Sequence, residues 1–142
     1  KLTVPPPSLI LFDGSNRDQC EVKRTNTNTP LQALAMMNDP AVLEASRVLA
    51  QKLVVTEQGD EKNIQVAFKK ILCRSATANE LKILTSYYKE QLKLFKENKL
   101  NAAKTITVGE YAKDEKADVN RTAALMKVIA TMYNMEEATV KT

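Results

Sequence analysis

All five prolines lie within the first forty residues, at Pro5, Pro6, Pro7, Pro30 and Pro40, and none interrupts the rest of the 142-residue chain. Proline removes a backbone donor and clashes with the preceding turn of a helix. The first part of the chain is therefore punctuated, while everything after Pro40 is free to form uninterrupted helices. Thr29-Pro30 and Asp39-Pro40 both pair a capping side chain with proline at the first helical position, so each reads as a helix start. The residue before proline avoids the helical region, so Asn38-Asp39-Pro40 separates a short helix over 30–38 from a longer one over 40–55.

Apolar spacing supplies the remaining elements. Val42, Ala45, Leu49 and Leu53 form the expected inner face of the second helix. A third helix over 61–74 turns Ile64, Ala67 or Phe68, and Ile71 inward. The clearest helix spans 77–98, opened by the capping-box pattern Thr77-x-x-Glu80 and striped by Leu81, Leu84, Tyr88, Leu92 and Phe95. Its lysines at 82, 89, 93, 96 and 99 read as a solvated face, interrupted by Glu90 and Glu97. Residues 101–109 read as a short helix or turn stopped by Gly109, and 111–118 as a charged loop. A last amphipathic helix spans 119–134, with Ala123, Met126, Ile129 and Tyr133 on one side. The Met36-Met37 and Tyr87-Tyr88 pairs are assigned to the core.

No β-pattern of comparable strength occurs. The expected fold is all-α: a small bundle of about five helices behind an N-terminal extended, Pro-rich strap and a polar loop. Residues 1–142 form one domain, with strap and loop over 1–29 and helices over 30–142. Leu9, Ile10, Leu11 and Phe12 are expected to dock the strap on the core.

Several chemistries are excluded outright. The chain has no His, so it has no Ser-His-Asp triad, no Cys-His pair, no imidazole zinc site and no Cys-x-x-Cys-His haem attachment. With three glycines it builds no glycine-rich phosphate cradle. The net charge of +4 arises from basic and acidic residues mixed along the chain, which argues against nucleic acid as a partner. No stretch reaches the ~20 apolar residues of a membrane span, so direct membrane insertion is not expected. Neither a cofactor nor a metal is expected. Asp13 and Ser15 begin a calcium-loop pattern, but Arg17 stands where a ligand oxygen is needed. Cys20 and Cys73 could close a long disulfide loop, or Cys73 could be a small core residue.

The polar set Arg17, Asp18, Arg24, Asn26, Asn28 and Gln32 is the candidate interaction surface. Its chemistry would be hydrogen bonding to a neighbouring domain or a glycan. Arg17 alone could grip an anion through its planar fork. By count, Asp13/Asp18, Asp60/Glu61, Asp114/Glu115 and Glu136/Glu137 are carboxylate pairs. The last three fall at helix ends or in charged loops where solvation explains them, which leaves Asp13 with Asp18 for acid/base work on a polysaccharide.

The stretch TVPPPSLILFDGSNRDQCEVKRTNTNTPLQALAMMNDP, residues 3–40, closely resembles a planctomycete-type domain of unknown function. The resemblance rests on Val4 to Ser8, Phe12-Asp13, Asn16-Arg17-Asp18 with Cys20, Arg24 with Thr27 to Leu34, and Asn38-Asp39-Pro40. It extends more loosely through AFKKILCRSATANEL and the closing VIATMYNMEEATVK. Cys73 stands where that pattern tends to carry Gly, which weighs against a shared disulfide with Cys20. The resembled domain is the C-terminal partner of another uncharacterised domain. The pair often follows a planctomycete-type cytochrome c in large secreted or surface proteins of Planctomycetes, Verrucomicrobia and Bacteroidetes. The resemblance thus implies a C-terminal fragment of a larger extracytoplasmic protein, periplasmic or at the cell surface. Its partners would be the upstream domains of the same polypeptide, and its role that of a non-catalytic structural or interaction module. It carries no catalytic residues and places no haem on this chain.

Overall fold

The computed structural model describes residues 11–14, 29–56 and 59–139. Every regular element among them is a helix: α1 (Pro30–Asn38), α2 (Pro40–Val55), α3 (Asp60–Leu72), α4 (Ala78–Lys96), α5 (Ala102–Thr105), α6 (Val119–Tyr133) and α7 (Glu136–Thr139). The expected all-α bundle is therefore observed, with two single-turn helices added to the five longer ones.

The helix starts follow the sequence signals. Thr29 caps α1 in a reciprocal capping box with Gln32, and Pro30 opens the helix. Asp39 caps α2 by accepting from the N–H groups of Ala41 and Val42 at 2.7 and 3.2 Å. Thr77 and Glu80 form the expected capping box of α4. Helix α3 ends at Cys73, which adopts the left-handed conformation at φ 56°. Glycine takes that position without strain, so the geometry accounts for the Gly of the resembled pattern. Cys73 is exposed and is not the core residue considered above.

α6 is the centre of the molecule. It packs most extensively against α2 and α4, and also against α3 and α5. Its burial runs nearly all round, through Thr122 to Met126, Val128, Ile129 and Met132. The one-sided stripe expected for it is thus too narrow, because a helix surrounded by others buries every face. Around it the core gathers Ile64, Ala67 and Phe68 of α3 with Leu84, Tyr88 and Phe95 of α4. Asn63 and Thr122, both fully buried, have side-chain atoms without a hydrogen-bond partner among the described residues.

α2 differs most from expectation. Its buried residues are Ser46, Arg47, Ala50, Gln51, Leu53 and Val54, whereas Ala45 is exposed. The inner face is turned by about one residue, or ~100° around the helix axis, from the purely apolar stripe. At the N-terminal end, Leu11 is helical and Phe12 and Asp13 form a turn rather than continuing an extended strap. Phe12 is 43% exposed and Met37 51% exposed, so neither reaches the core assigned to it. The rest of the strap and loop, residues 1–10 and 15–28, lies outside the described residues.

Candidate functional site

Only Gln32 of the six interaction-surface residues lies among the described ones; Arg17, Asp18, Arg24, Asn26 and Asn28 fall outside them. Gln32 is buried, and its side chain works in two directions. Its Oε1 accepts from the Thr29 N–H at 2.9 Å, and its Nε2 donates to the Leu11 carbonyl at 2.7 Å. One amide thus starts α1 and ties Leu11 to it. Asp13 sits in the following turn at φ 53°, while Asp18, its considered catalytic partner, lies outside the described residues.

The tether leaves an uncharged surface beside it. α1 carries no acidic or basic residue, and Leu31, Leu34 and Met37 recur every three residues along it. These three are 61%, 56% and 51% exposed. Phe12 is exposed beside Leu11, the residue bonded to Gln32. Scattered exposed apolar residues need no explanation; here three of them form a row along one helix that carries no charge.

A second constellation centres on Arg47, which is fully buried. Its Nε donates to the Val108 carbonyl at 2.9 Å and its Nη2 to the Tyr111 carbonyl at 2.7 Å. Nη1 donates to Gln51 Oε1 at 2.6 Å. The balancing charge is Glu44, at 3.7 Å from Nη2, whose Oε1 also accepts from the Tyr111 N–H at 2.6 Å. Arg47 and Glu44 together therefore grip loop 108–111 by its backbone. Gly109 takes φ 85° within that loop, directly against the Glu44 side chain. The Tyr111 ring projects outward, with Lys52 Nζ at 5.8 Å from its centroid. Sequence reading missed Arg47 because it sits between residues expected to face the core. The available signal was Glu44, Arg47 and Gln51 sharing one helical face at spacings of three and four.

Two further arginines act between helices. Arg121 of α6 reaches Asp60 Oδ1 of α3 at 2.7 Å. Tyr88 lies in the same group; burial foremost, and then the charge of Asp60, raise its phenol well above the ordinary range. Arg74, whose guanidinium lies 4.9 Å from the Phe68 ring centroid, forks onto Glu80 at 2.7 and 3.0 Å. The same guanidinium forks onto Glu137 of α7 at 2.8 and 3.1 Å.

Hydrogen bonds from Arg74 and then Thr77 hold the Glu80 carboxyl down at about 2, and Arg74 likewise lowers Glu137. A depressed folded value means that the stabilisation is complete above the ordinary carboxyl value of 4.5 and is lost as pH falls toward about 2. Acid titration followed by amide NMR should therefore release α7 as Glu137 protonates, below its ordinary carboxyl value, before the core melts. Glu137→Gln should loosen α7 already at neutral pH and flatten that dependence. Because both groups are solvent-exposed, the effect should be small and weaken with salt.

Open grooves flank α3 and α4. One, of about 500 Å³, is lined by Glu61, Leu81, Lys82, Thr85, Ser86 and Lys89, which mix both signs of charge. Among the described residues no cluster of His, Cys, Asp or Glu could hold a metal ion. No described helix is long and apolar enough to cross a membrane.

The pattern of one family, described as PSD1, protein of unknown function (DUF1553), matches residues 1–88. The match covers α1, α2, α3 and the first half of α4. No curated protein matches the chain, and no solved structure matches it.

Proposed function

We propose that this chain, which belongs to the PSD1 family of proteins of unknown function (DUF1553), is a non-catalytic interaction module of a larger extracytoplasmic protein. The observation that carries the reading is the exposed, uncharged row of Leu31, Leu34 and Met37 along α1. The occupant is the domain that precedes this one on the same polypeptide. The likeness of residues 3–40 to the planctomycete-type domain supports that setting, with a partner domain and a cytochrome c upstream.

Geometry and size favour a tethered partner. The Gln32–Leu11 bond holds Leu11 against α1, so a domain preceding this one would be tethered within a short length of chain from this surface. α1 has nine residues, a length of ~13 Å, and offers far less than the ~800 Å² per partner of a stable independent complex. A domain on the same chain meets the surface at an effective concentration near millimolar, where a small contact suffices. Buried Arg47 and partly exposed Arg74 and Arg121 support a scaffold role, since their hydrogen bonds are used in holding helices and loops together.

Calorimetric titration of the separately produced preceding domain into this chain tests the reading. Binding in the micromolar to millimolar range is expected, and Leu31→Glu with Leu34→Glu should remove it by more than about tenfold. Both positions are exposed, so the melting temperature should hardly move. An unaffected titration with the double variant, or hydrolysis of glycans by this chain alone, would sink the reading.

A further inference from the structure

We infer a carbohydrate-stacking subsite at Tyr111, on the loop that Arg47 and Glu44 hold. The inference goes beyond the docking role of α1 and stands on different residues.

Consider how Tyr111 is held. Its N–H goes to Glu44 at 2.6 Å and its carbonyl takes the Arg47 donor at 2.7 Å. Both backbone polar groups of this residue are thus fixed from within the fold, one of them by a fully buried guanidinium. Burying a charge is unfavourable unless its hydrogen bonds are made, so a loop closed this way is held far more tightly than an ordinary connection. Yet Tyr111 itself is 58% exposed. A tyrosine ring on a fixed backbone is a large, amphipathic surface that loses little conformational entropy on binding. Such preorganisation favours recognition.

The surroundings select the ligand. Lys52 lies against the ring, and Glu110 and Lys113 are exposed on the same loop. The centre of a protein–protein contact is depleted in charge, so this setting does not suit an apolar protein anchor. It suits a sugar ring, whose C–H face stacks on the aromatic while its hydroxyls bond to amines, carboxylates and the phenol. Arg47 and Glu44 are positioning residues, acting on Tyr111 through its backbone.

Cellohexaose, chitohexaose and a hexamer of galacturonic acid, each titrated into the chain and followed by amide NMR, provide the test. At least one should bind in the high-micromolar to millimolar range, shifting the amides of 109–113. Tyr111→Ala should weaken that binding by about tenfold or more without lowering the melting temperature, and Tyr111→Phe should largely retain it. Glu44→Ala, which frees the Tyr111 N–H, should weaken it by an intermediate factor. No binding by any of the three sugars at millimolar concentration, or equal binding by Tyr111→Ala, overturns the inference. Either result leaves the α1 docking test unaffected.

Discussion

Arg47→Ala should lower stability by about 3–5 kcal/mol, among the largest losses any single substitution would cause in this chain. Three acceptors, the carbonyls of Val108 and Tyr111 and the Oε1 of Gln51, lose their donor together. The Gln51 acceptor is buried and would cost ~1–3 kcal/mol unpaired, the two part-buried carbonyls less, and the void of a fully buried side chain adds to it. Glu44 softens the loss, because its side chain is 30% exposed and can turn to water. Against a domain stability of roughly 5–15 kcal/mol, the melting temperature should fall by about 10–15 °C. Urea denaturation gives the number directly. Arg47→Met separates the causes, since it restores most of the volume but no donor. A Met variant as stable as the parent would show that packing, not hydrogen bonding, makes Arg47 important. Arg47→Lys should fall between the two, because an ammonium cannot reproduce the planar fork that serves three acceptors at once.

Why this arginine escapes a reading of the sequence, while the helix starts do not, is a matter of range. Thr29-Pro30, Asp39-Pro40 and the Thr77–Glu80 box act within three residues, and each caps its helix as its spacing implies. The stripe of α4 is also local, and Leu84, Tyr88 and Phe95 are buried where the 3.6-residue period places them. Arg47 depends on carbonyls more than sixty positions away, supplied by a loop with no apolar period of its own. A local pattern therefore prefers Ala45 inward, whereas the loop draws the face one residue round to Ser46 and Arg47. Gln32 shows the same limit in reverse. As a polar residue before an apolar run it reads as surface, but Leu11 and Thr29 use both ends of its amide and bury it. Neighbouring Leu31 and Leu34 stay exposed, and so does Met37, which the sequence assigns to the core. Composition cannot distinguish an apolar row that packs inside from one that meets a partner.

Gly109→Ala should cost about 2–3 kcal/mol, although it adds a single methyl group to an exposed loop. Two causes combine. At φ 85° an L-residue is strained by ~1–2 kcal/mol wherever it stands. The new Cβ would also fall within the Glu44 side chain, at both its Cγ and Cδ. Glu44 must then move, which breaks its bond to the Tyr111 N–H and carries its charge away from Arg47. The two causes separate in a double-mutant cycle with Glu44→Ala, which clears the space in advance. In that background Gly109→Ala should cost only the ~1–2 kcal/mol of backbone strain. The double variant is therefore expected to lose about 1 kcal/mol less than the sum of the two single losses, read by urea denaturation of the four proteins. Equal costs in both backgrounds would show that Glu44 yields freely, and that the carboxylate does not hold the loop against α2. The parent and the Glu44→Ala variant would then bind sugars alike, so the coupling also measures how far the presentation of Tyr111 depends on the clasp beneath it.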